Sequence, residues 1–130
     1  MVPPGGTSAY HDLLVAHAAA WSRHDIDAIM EMFTSTCTFE TSGGPDPWGR
    51  RYEGPAAVRA AIAEIFEMLP DIRFANARHT VFGERGLSEY TLIATRPDGS
   101  RIEARGCDLF EFKDGKIQRK DSYRKRRIAR

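Results

Sequence analysis

Two aspartates in the C-terminal third are the residues whose type and spacing first point to chemistry. Asp108 and Asp121 stand on either side of an Asp114-Gly115 dipeptide, within two runs that alternate apolar and polar residues. That dipeptide is a strong signal for a two-residue type I′ turn, because both central residues need a positive φ. Counting outward from such a turn pairs Phe110 with Arg119 and Asp108 with Asp121. The sequence therefore predicts two carboxylates opposite each other on neighbouring strands.

Both carboxylates are predicted to lie on the face that turns towards the core. Alternation places Phe110, Phe112 and Ile117 on their face, so this face is expected to be apolar and inward. Two carboxylates in a partly dry site tend to share a proton, which raises one pKa and gives the groups different roles. We expect one to act as general base and the other as hydrogen-bond donor, with Arg119 biasing which one stays ionised.

Two structural alternatives remain open for the aspartate pair. A one-residue bulge would move Asp121 out of line with Asp108. Alternatively, Arg119, Arg105 or Lys120 could neutralise the carboxylates in ordinary salt bridges without catalytic use. Structural ion pairs also perturb pKa values, so the geometry has to decide between these interpretations.

Composition narrows the class of protein. The chain has 130 residues, 42% of them hydrophobic and 28% charged, with a net charge of +1. This length predicts one domain, and the near-neutral charge provides no global field for nucleic acid or an anionic membrane. Cys37 and Cys107 lack metal-ligand spacing, which argues for a reducing compartment and against a zinc site. We expect a cytoplasmic protein without signal peptide, membrane span or metal site.

The predicted domain occupies residues 8–125, between a loose N-terminal tail (residues 1–7) and a basic C-terminal tail (residues 126–130). The last seven residues, 124–130, contain five lysines and arginines. A solvated strand end or a frayed tail explains this segment more simply than a nucleic-acid site does.

Periodicity and breaker residues predict three helices and a set of strands. Helices are expected over residues 8–23 and 26–33, the second capped by Asp25, and a third begins at Gly54-Pro55 and ends at Pro70. The predicted strands cover residues 37–41, 72–82, 87–95, 102–112 and 116–124. Helices followed by an antiparallel meander predict an α+β domain in which a curved sheet wraps the helices and leaves a conical cavity.

The pairing of the predicted strands over residues 87–95 and 102–112 depends on the turn that connects them. If Asp98-Gly99 is also a two-residue turn, Glu89 joins the row beside Asp108. The same register brings four residues together on the outer face: Tyr90, Leu92, Cys107 and Leu109. An exposed apolar patch of this kind indicates a partner.

The long segment over residues 42–52 is expected to be an irregular loop, of the length seen in lids and binding loops. Trp48 and Tyr52 in this loop could close one end of the cavity or simply pack over the core. Tyr123 could donate a hydrogen bond in the pocket or pack with a satisfied hydroxyl. The strand register does not decide whether His79 faces inward.

Over residues 8–125 the chain resembles the NTF2-like superfamily, in particular its SnoaL-like and ketosteroid-isomerase-like members. The segments that carry the resemblance are WSRHDID at 21–27, MEMF at 30–33, FE at 39–40, RYEGPAAVR at 51–59, GCDLFEFKDGKI at 106–117 and DSY at 121–123. The resemblance implies a cone-shaped fold, with three N-terminal helices packed in a strongly curved, mainly antiparallel sheet. It also implies a homodimer formed through the outer sheet face.

The resemblance implies different roles in different branches of the superfamily. The aspartate that binds the substrate oxyanion in ketosteroid isomerases falls on Asp108, while the base of that family falls near Thr41 and its tyrosine near His17. In limonene-epoxide-hydrolase-like members, two aspartates resemble Asp108 and Asp121, and Arg119 would have to substitute for the arginine between them. In SnoaL-like polyketide cyclases, the proposed base on the last strand resembles Asp121.

We therefore expect a cofactor-independent enzyme that isomerises, cyclises or hydrates a small hydrophobic substrate, with Asp108, Asp121 and Arg119 as catalytic residues. The alternative is a non-catalytic ligand-binding or interaction domain. An open cavity of ~300 Å³ or more would favour the enzyme, and a cavity filled by aromatic side chains would favour the alternative. The residues expected to contact the substrate are His17, Trp21, Thr41, Trp48, Tyr52, Phe66, Phe110 and Tyr123.

Overall fold

The computed structural model describes residues 7–128, so residues 1–6 of the predicted N-terminal tail lie outside the described range. The helices are α1 (Thr7–Ser22), α2 (Ile26–Glu31) and α3 (Pro55–Met68). The strands are β1 (Phe33–Glu40), β2 (Arg51–Glu53), β3 (Arg73–Phe82), β4 (Arg85–Thr95), β5 (Arg101–Lys113) and β6 (Lys116–Arg124).

The strands form one six-stranded sheet in the order β2-β1-β6-β5-β4-β3. All neighbouring strands are antiparallel except β1 and β6, which run parallel. The α+β architecture agrees with the prediction. The expectation of three N-terminal helices is inexact, because α3 follows β1 and β2 along the chain.

The helices pack through the apolar stripes that their sequences predict. Tyr10, Leu14 and Trp21 lie at helical spacing on α1 and are each at most 3% exposed. Asp25 caps α2, since its carboxylate accepts a hydrogen bond of 3.1 Å from the backbone N–H of Ala28. Across residues 7–128, the helices are all too short or too polar to cross a membrane.

The β5–β6 hairpin begins as predicted and then departs from the predicted register. Asp114 and Gly115 both have positive φ, at 52° and 81°, and Phe112 pairs with Ile117. A bulge then inserts Gln118, so that Glu111 rather than Phe110 pairs with Arg119. This is the open alternative of the sequence analysis, and the predicted pairing of the two aspartates is wrong.

The bulge reverses the faces of every later residue on β6, because side chains alternate along a strand. Phe110 now pairs with Lys120, Leu109 with Asp121, and Asp108 with Ser122. Lys120 is therefore inside the protein, and Asp121 lies on the opposite face of the sheet from Asp108.

The pairing of β4 with β5 is also shifted by one residue from the predicted register. Thr95 pairs with Arg101, so the loop has five residues rather than a two-residue turn at Asp98-Gly99. Ser88, not Glu89, consequently lies opposite Asp108. Two residues predicted for the outer face are buried inside instead: Tyr90 and Leu92. A homodimer through the outer face stays a prediction, with Cys107 and Leu109 still on that face.

Candidate functional site

A cavity of about 180 Å³ opens on the inner side of the sheet. Its volume is smaller than the expected ~300 Å³, and the aromatic residues do not fill it. Its apolar walls are formed by Trp21, Phe39, Ile65, Leu69, Ile72, Phe74, Tyr90 and Leu92. Its polar lining residues are Thr41, Ser42, Asp108, Lys120, Ser122, Tyr123 and Arg124. Asp108 and Lys120 are buried, whereas Tyr123 and Arg124 are exposed and mark the mouth.

Asp108 is the carboxylate of this cavity, and it is 4% exposed. The Tyr90 hydroxyl donates to its Oδ1 at 2.8 Å, and Lys120 Nζ lies 3.4 Å from its Oδ2. Burial, and next the negative charge of Asp108, raise the pKa of the Tyr90 hydroxyl, which therefore remains a donor. The arrangement is a buried ion pair held by a tyrosine at an otherwise apolar wall.

The amine of Lys120 contacts three side chains. Its Nζ lies 3.4 Å from Asp108 Oδ2, 3.0 Å from His17 Nε2, and 4.3 Å from the centre of the Trp21 ring. Burial lowers the pKa of Lys120, and the Asp108 carboxylate opposes this effect. Because an ammonium has three donors and an indole face attracts a cation, these partners favour the protonated amine.

His17 supports the ion pair in its neutral form. Its Nε2 accepts from the Trp21 indole N–H at 3.1 Å and also faces the Lys120 ammonium. An Nε2 that faces two donors carries no proton, so the proton of the neutral ring is on Nδ1. Burial, and next the charge of Lys120, hold the pKa of His17 well below its ordinary value.

The row of polar groups continues from Asp108 across the inner face. His79 Nδ1 lies 2.7 Å from the hydroxyl of Ser88, which pairs with Asp108 on the next strand. His79 and His17 both border a deeper extension of about 20 Å³ that Phe110 also lines. His79 therefore belongs to the inner face, a position that the sequence could not decide.

Asp121 and Arg119 belong to a different group on the other face of the sheet, the outer cluster of Glu40, Arg51, Arg119, Asp121 and Tyr123. The Glu40 side chain is only 1% exposed and binds Arg119 and Arg51, the latter through Nε at 2.6 Å. Arg119 lies 3.6 Å from Asp121, whose Oδ2 accepts from the Tyr123 hydroxyl at 3.0 Å. Burial raises the pKa of Asp121. Both predicted partners of Asp108 thus lie outside the cavity, because the bulge at Gln118 reversed their faces.

The outer cluster borders a cleft of about 400 Å³ that meets the cavity mouth. Thr41 and Tyr123 line both spaces. Trp48 lines only the cleft, where the Arg51 guanidinium lies 4.5 Å from its ring centre. Of the residues expected to contact the substrate, Thr41 and Tyr123 thus line the cavity, whereas Trp48 is 42% exposed and does not line it.

Two other expected contacts lie behind the cavity wall. Tyr52 packs on Phe39, with ring centres 6.4 Å apart. Phe66 stacks on His24 at 4.2 Å and meets the edge of Trp21 at 5.1 Å. Neither Tyr52 nor Phe66 lines the cavity, so both support its walls.

Lys120 was predicted only as one possible ion-pair partner of the carboxylates, and Tyr90 was predicted for the outer face, yet both contact Asp108 inside the protein. Lys120 stands in the polar run Gln-Arg-Lys-Asp-Ser, which gives no sign that one member is buried. The feature of the sequence that could have indicated the inward position of Lys120 is the Thr-rich segment of β1. There Thr34 and Thr36 bind the Gln118 side chain and fix the bulge.

We expect His17 to make the protein acid-sensitive. Because its pKa lies well below the ordinary 6.5, the unfolded chain takes up a proton that the folded protein does not as the pH falls below 6.5. This group should lower the free energy of unfolding by up to about 1.4 kcal/mol per pH unit below that value. His17→Gln, which keeps an acceptor for Trp21 and Lys120, should lose this part of the slope in urea denaturation between about pH 5 and 7.5.

The control for this measurement is Ser22→Ala, because Ser22 is exposed on the same helix and its side chain does not titrate. That variant should keep the pH slope of the wild type. Parallel curves for the wild type and His17→Gln would contradict the neutral, buried state of His17.

We expect strong energetic coupling between Asp108 and Lys120. Asp108→Asn or Lys120→Met alone leaves one buried charge without its partner, which typically costs about 3–5 kcal/mol. The double variant should lose less than the sum of the two, by at least about 1 kcal/mol in a double-mutant cycle from chemical denaturation.

The exposed pair Arg59–Asp27, with an N–O distance of 2.8 Å and side chains 49% and 82% exposed, provides the control cycle. Its coupling energy should stay below about 1 kcal/mol. Additive effects of the Asp108 and Lys120 substitutions would mean that the buried ion pair does not form.

Comparison with known proteins identifies the family to which the chain belongs. The family model described as a SnoaL-like domain matches residues 14–120. No curated protein matches the chain.

Solved structures show the same fold at low sequence identity. A candidate polyketide cyclase from Xanthomonas campestris pv. campestris is 21% identical, with 90% of each chain covered and a TM-score of 0.80. An NTF2-like protein from Burkholderia xenovorans LB400 is 17% identical over 92% of each chain, with a TM-score of 0.79. TerC, co-crystallised with polyporic acid, is 19% identical over 90% of this chain and 92% of its own, with a TM-score of 0.76. The chain belongs to the SnoaL-like domain family and has the NTF2-like fold.

Proposed function

We propose that the protein is an enzyme that binds a small, mainly apolar carbonyl compound in the cavity and uses Asp108 to move a proton. The observation that carries this proposal is the Asp108–Lys120 ion pair at the wall of an otherwise apolar space. An ionised base and a fixed positive charge, close together and shielded from water, are what enolate chemistry needs.

The first chemical step follows from these two groups. The Asp108 carboxylate takes a proton from the carbon next to the substrate carbonyl, and the electron pair moves to the carbonyl oxygen. The Lys120 ammonium stabilises the resulting enolate, and its effect is larger than in water because the surroundings are apolar. Tyr90 and His17 are positioning residues, since the first holds Asp108 and the second holds Lys120.

The enolate is shared by isomerisation and aldol-type cyclisation, two of the reactions that the family resemblance implies, and by hydration of an enone, but not by hydrolysis of an epoxide. Return of the proton to another carbon gives isomerisation, and attack of the enolate on a second carbonyl gives aldol-type cyclisation. Addition of water to an enone passes through the same enolate before the proton returns. The neighbours described as a candidate polyketide cyclase and as co-crystallised with polyporic acid support a small organic substrate for this chain.

The second candidate is a ligand-binding domain without catalysis. The cavity volume of about 180 Å³ favours it over the enzyme, because the volume lies below the ~300 Å³ or more expected for an enzyme. The complete pairing of Asp108 by Tyr90 and Lys120 favours it as well, since a satisfied carboxylate needs no further partner. In that case a ligand binds, but Asp108 transfers no proton.

Hydrogen–deuterium exchange at the carbon next to a carbonyl tests this proposal without knowledge of the substrate. We expect the wild-type protein in D₂O to accelerate exchange into at least one of 2-indanone, 2-tetralone and 1-phenylbutane-1,3-dione, followed by proton NMR. Asp108→Asn should lower the accelerated rate by about 10²-fold or more, as expected for loss of a general base.

Asp121→Asn is the matched control, because Asp121 stands on the opposite face of the same hairpin and should leave exchange unchanged. Melting temperatures of both variants show whether the fold is intact. A ketone that binds the wild type without accelerated exchange would favour the second candidate. Equal rates for the wild type and Asp108→Asn would exclude Asp108 as the base.

A further inference from the structure

A strongly basic groove of about 510 Å³ opens next to the cavity. The basic groove is lined by six cationic side chains, namely Arg96, Arg101, Arg124, Lys125, Arg126 and Arg127. Glu103 is the one acidic residue of the lining. Since the whole chain carries a net charge of only +1, this concentration of positive charge is a local property of the fold.

The groove is an ordered part of the fold and not a frayed chain end, because the C-terminal segment is hydrogen-bonded to β5. The backbone N–H of Lys125 donates to the carbonyl of Arg105 at 2.9 Å. The Arg127 guanidinium donates to the carbonyl of Glu103 at 3.3 Å. The sequence predicted a solvated strand end here. Residues 124–128 are exposed, in agreement with that prediction, and they lie beside the β4–β5 connection, which supplies Arg96 to the same groove.

Most of the positive charge in the groove has no carboxylate partner. Arg101 lies 3.7 Å from Glu103, and Arg96 donates to the hydroxyl of Ser100 at 3.3 Å. Within residues 7–128, no carboxylate lies within 4.0 Å of the cationic groups of residues 124–127. Several guanidinium groups gathered in one concave site are suited to a phosphate group, which they bind through paired N–H donors.

The groove and the cavity are continuous at two residues. Ser42 and Arg124 line both spaces. We propose that the ligand of this protein is an amphipathic phosphate ester, with its apolar body in the cavity and its phosphate tail in the basic groove. This inference rests on the proposed function, because it assigns the same cavity to the part of the ligand that reacts.

The lining of the groove argues for such a small ligand over a nucleic acid. Proteins that bind single strands stack bases on aromatic side chains inside a basic groove. The remaining lining residues are Ser42, Gly43, Ile102, Ala104 and Ile128, none of which is aromatic. The adjoining cavity provides the apolar surface instead, and it is sized for a small molecule.

Binding of a matched pair of compounds tests the inference. The pair is 4-phenylbutan-1-ol and 4-phenylbutyl phosphate, which share the apolar body and differ in the phosphate. Isothermal titration calorimetry with the wild type should give a Kd about tenfold or more lower for the phosphate than for the alcohol at about 20 mM salt. This ratio should shrink at about 0.3 M salt, because exposed charges are screened.

Arg96→Gln/Arg126→Gln should reduce the ratio of the two Kd values to about threefold or less, as expected for the loss of two charge-assisted contacts. Lys113→Gln/Lys116→Gln removes the same charge at the other end of the hairpin and should leave the ratio unchanged. This control separates a local phosphate site from a general effect of net charge.

The outcomes separate this inference from the proposed function. Alcohol binding without any gain from the phosphate would overturn the inference and leave the proposed function standing. Failure of the alcohol to bind, together with no proton exchange, would remove both. Single-stranded DNA of about 20 nucleotides that displaces the phosphate ester and binds more tightly would overturn the inference in favour of nucleic acid.

Discussion

The candidate site depends on one extra residue in β6 and on the hydrogen bonds that hold it. The Gln118 amide oxygen accepts from the hydroxyls of Thr34 and Thr36, at 2.7 and 3.1 Å, and its nitrogen donates to the Thr36 carbonyl at 3.0 Å. These bonds fix Gln118 as the unpaired residue of the bulge. Because a one-residue shift moves every later side chain to the other face, the bulge brings Lys120 inside and sends Asp121 outside.

The ion pair created by this shift is costly to keep in an apolar interior. Removing two charges from water costs several kcal/mol per ion, and mutual attraction offsets this cost only when the remaining donors and acceptors are satisfied. Tyr90, His17 and the Trp21 ring provide these contacts for Asp108 and Lys120. A well-packed apolar pair would often be at least as stable. The retention of charge at the wall of a cavity therefore agrees with a functional use of that charge.

Local signals in the sequence were sufficient for the helices, five of the six strands and the type I′ turn, because each depends on neighbouring residues, whereas β2 begins within the segment predicted to be an irregular loop. Pro55 begins α3 and Asp114-Gly115 makes the turn. The register beyond the turn depends on the contact between Gln118 and β1, which is more than 80 residues away in sequence. Counting from the turn could not detect that contact. The inner position of Asp108 was therefore predicted, whereas Lys120 was named only as one of three possible ion-pair partners and its inward position was not predicted.

Nitrogen-15 NMR of the lysine side chains tests the central claim, the buried Asp108–Lys120 pair, most directly. The chain has four lysines, and Lys113, Lys116 and Lys125 are exposed. Exposed ammonium groups exchange their protons rapidly with water, whereas a buried and hydrogen-bonded one is protected. We expect one slowly exchanging ammonium signal near neutral pH, which shifts or disappears in Asp108→Asn and stays unchanged in Asp121→Asn. The absence of a protected signal in the wild type, or an equal response to both substitutions, would contradict this claim.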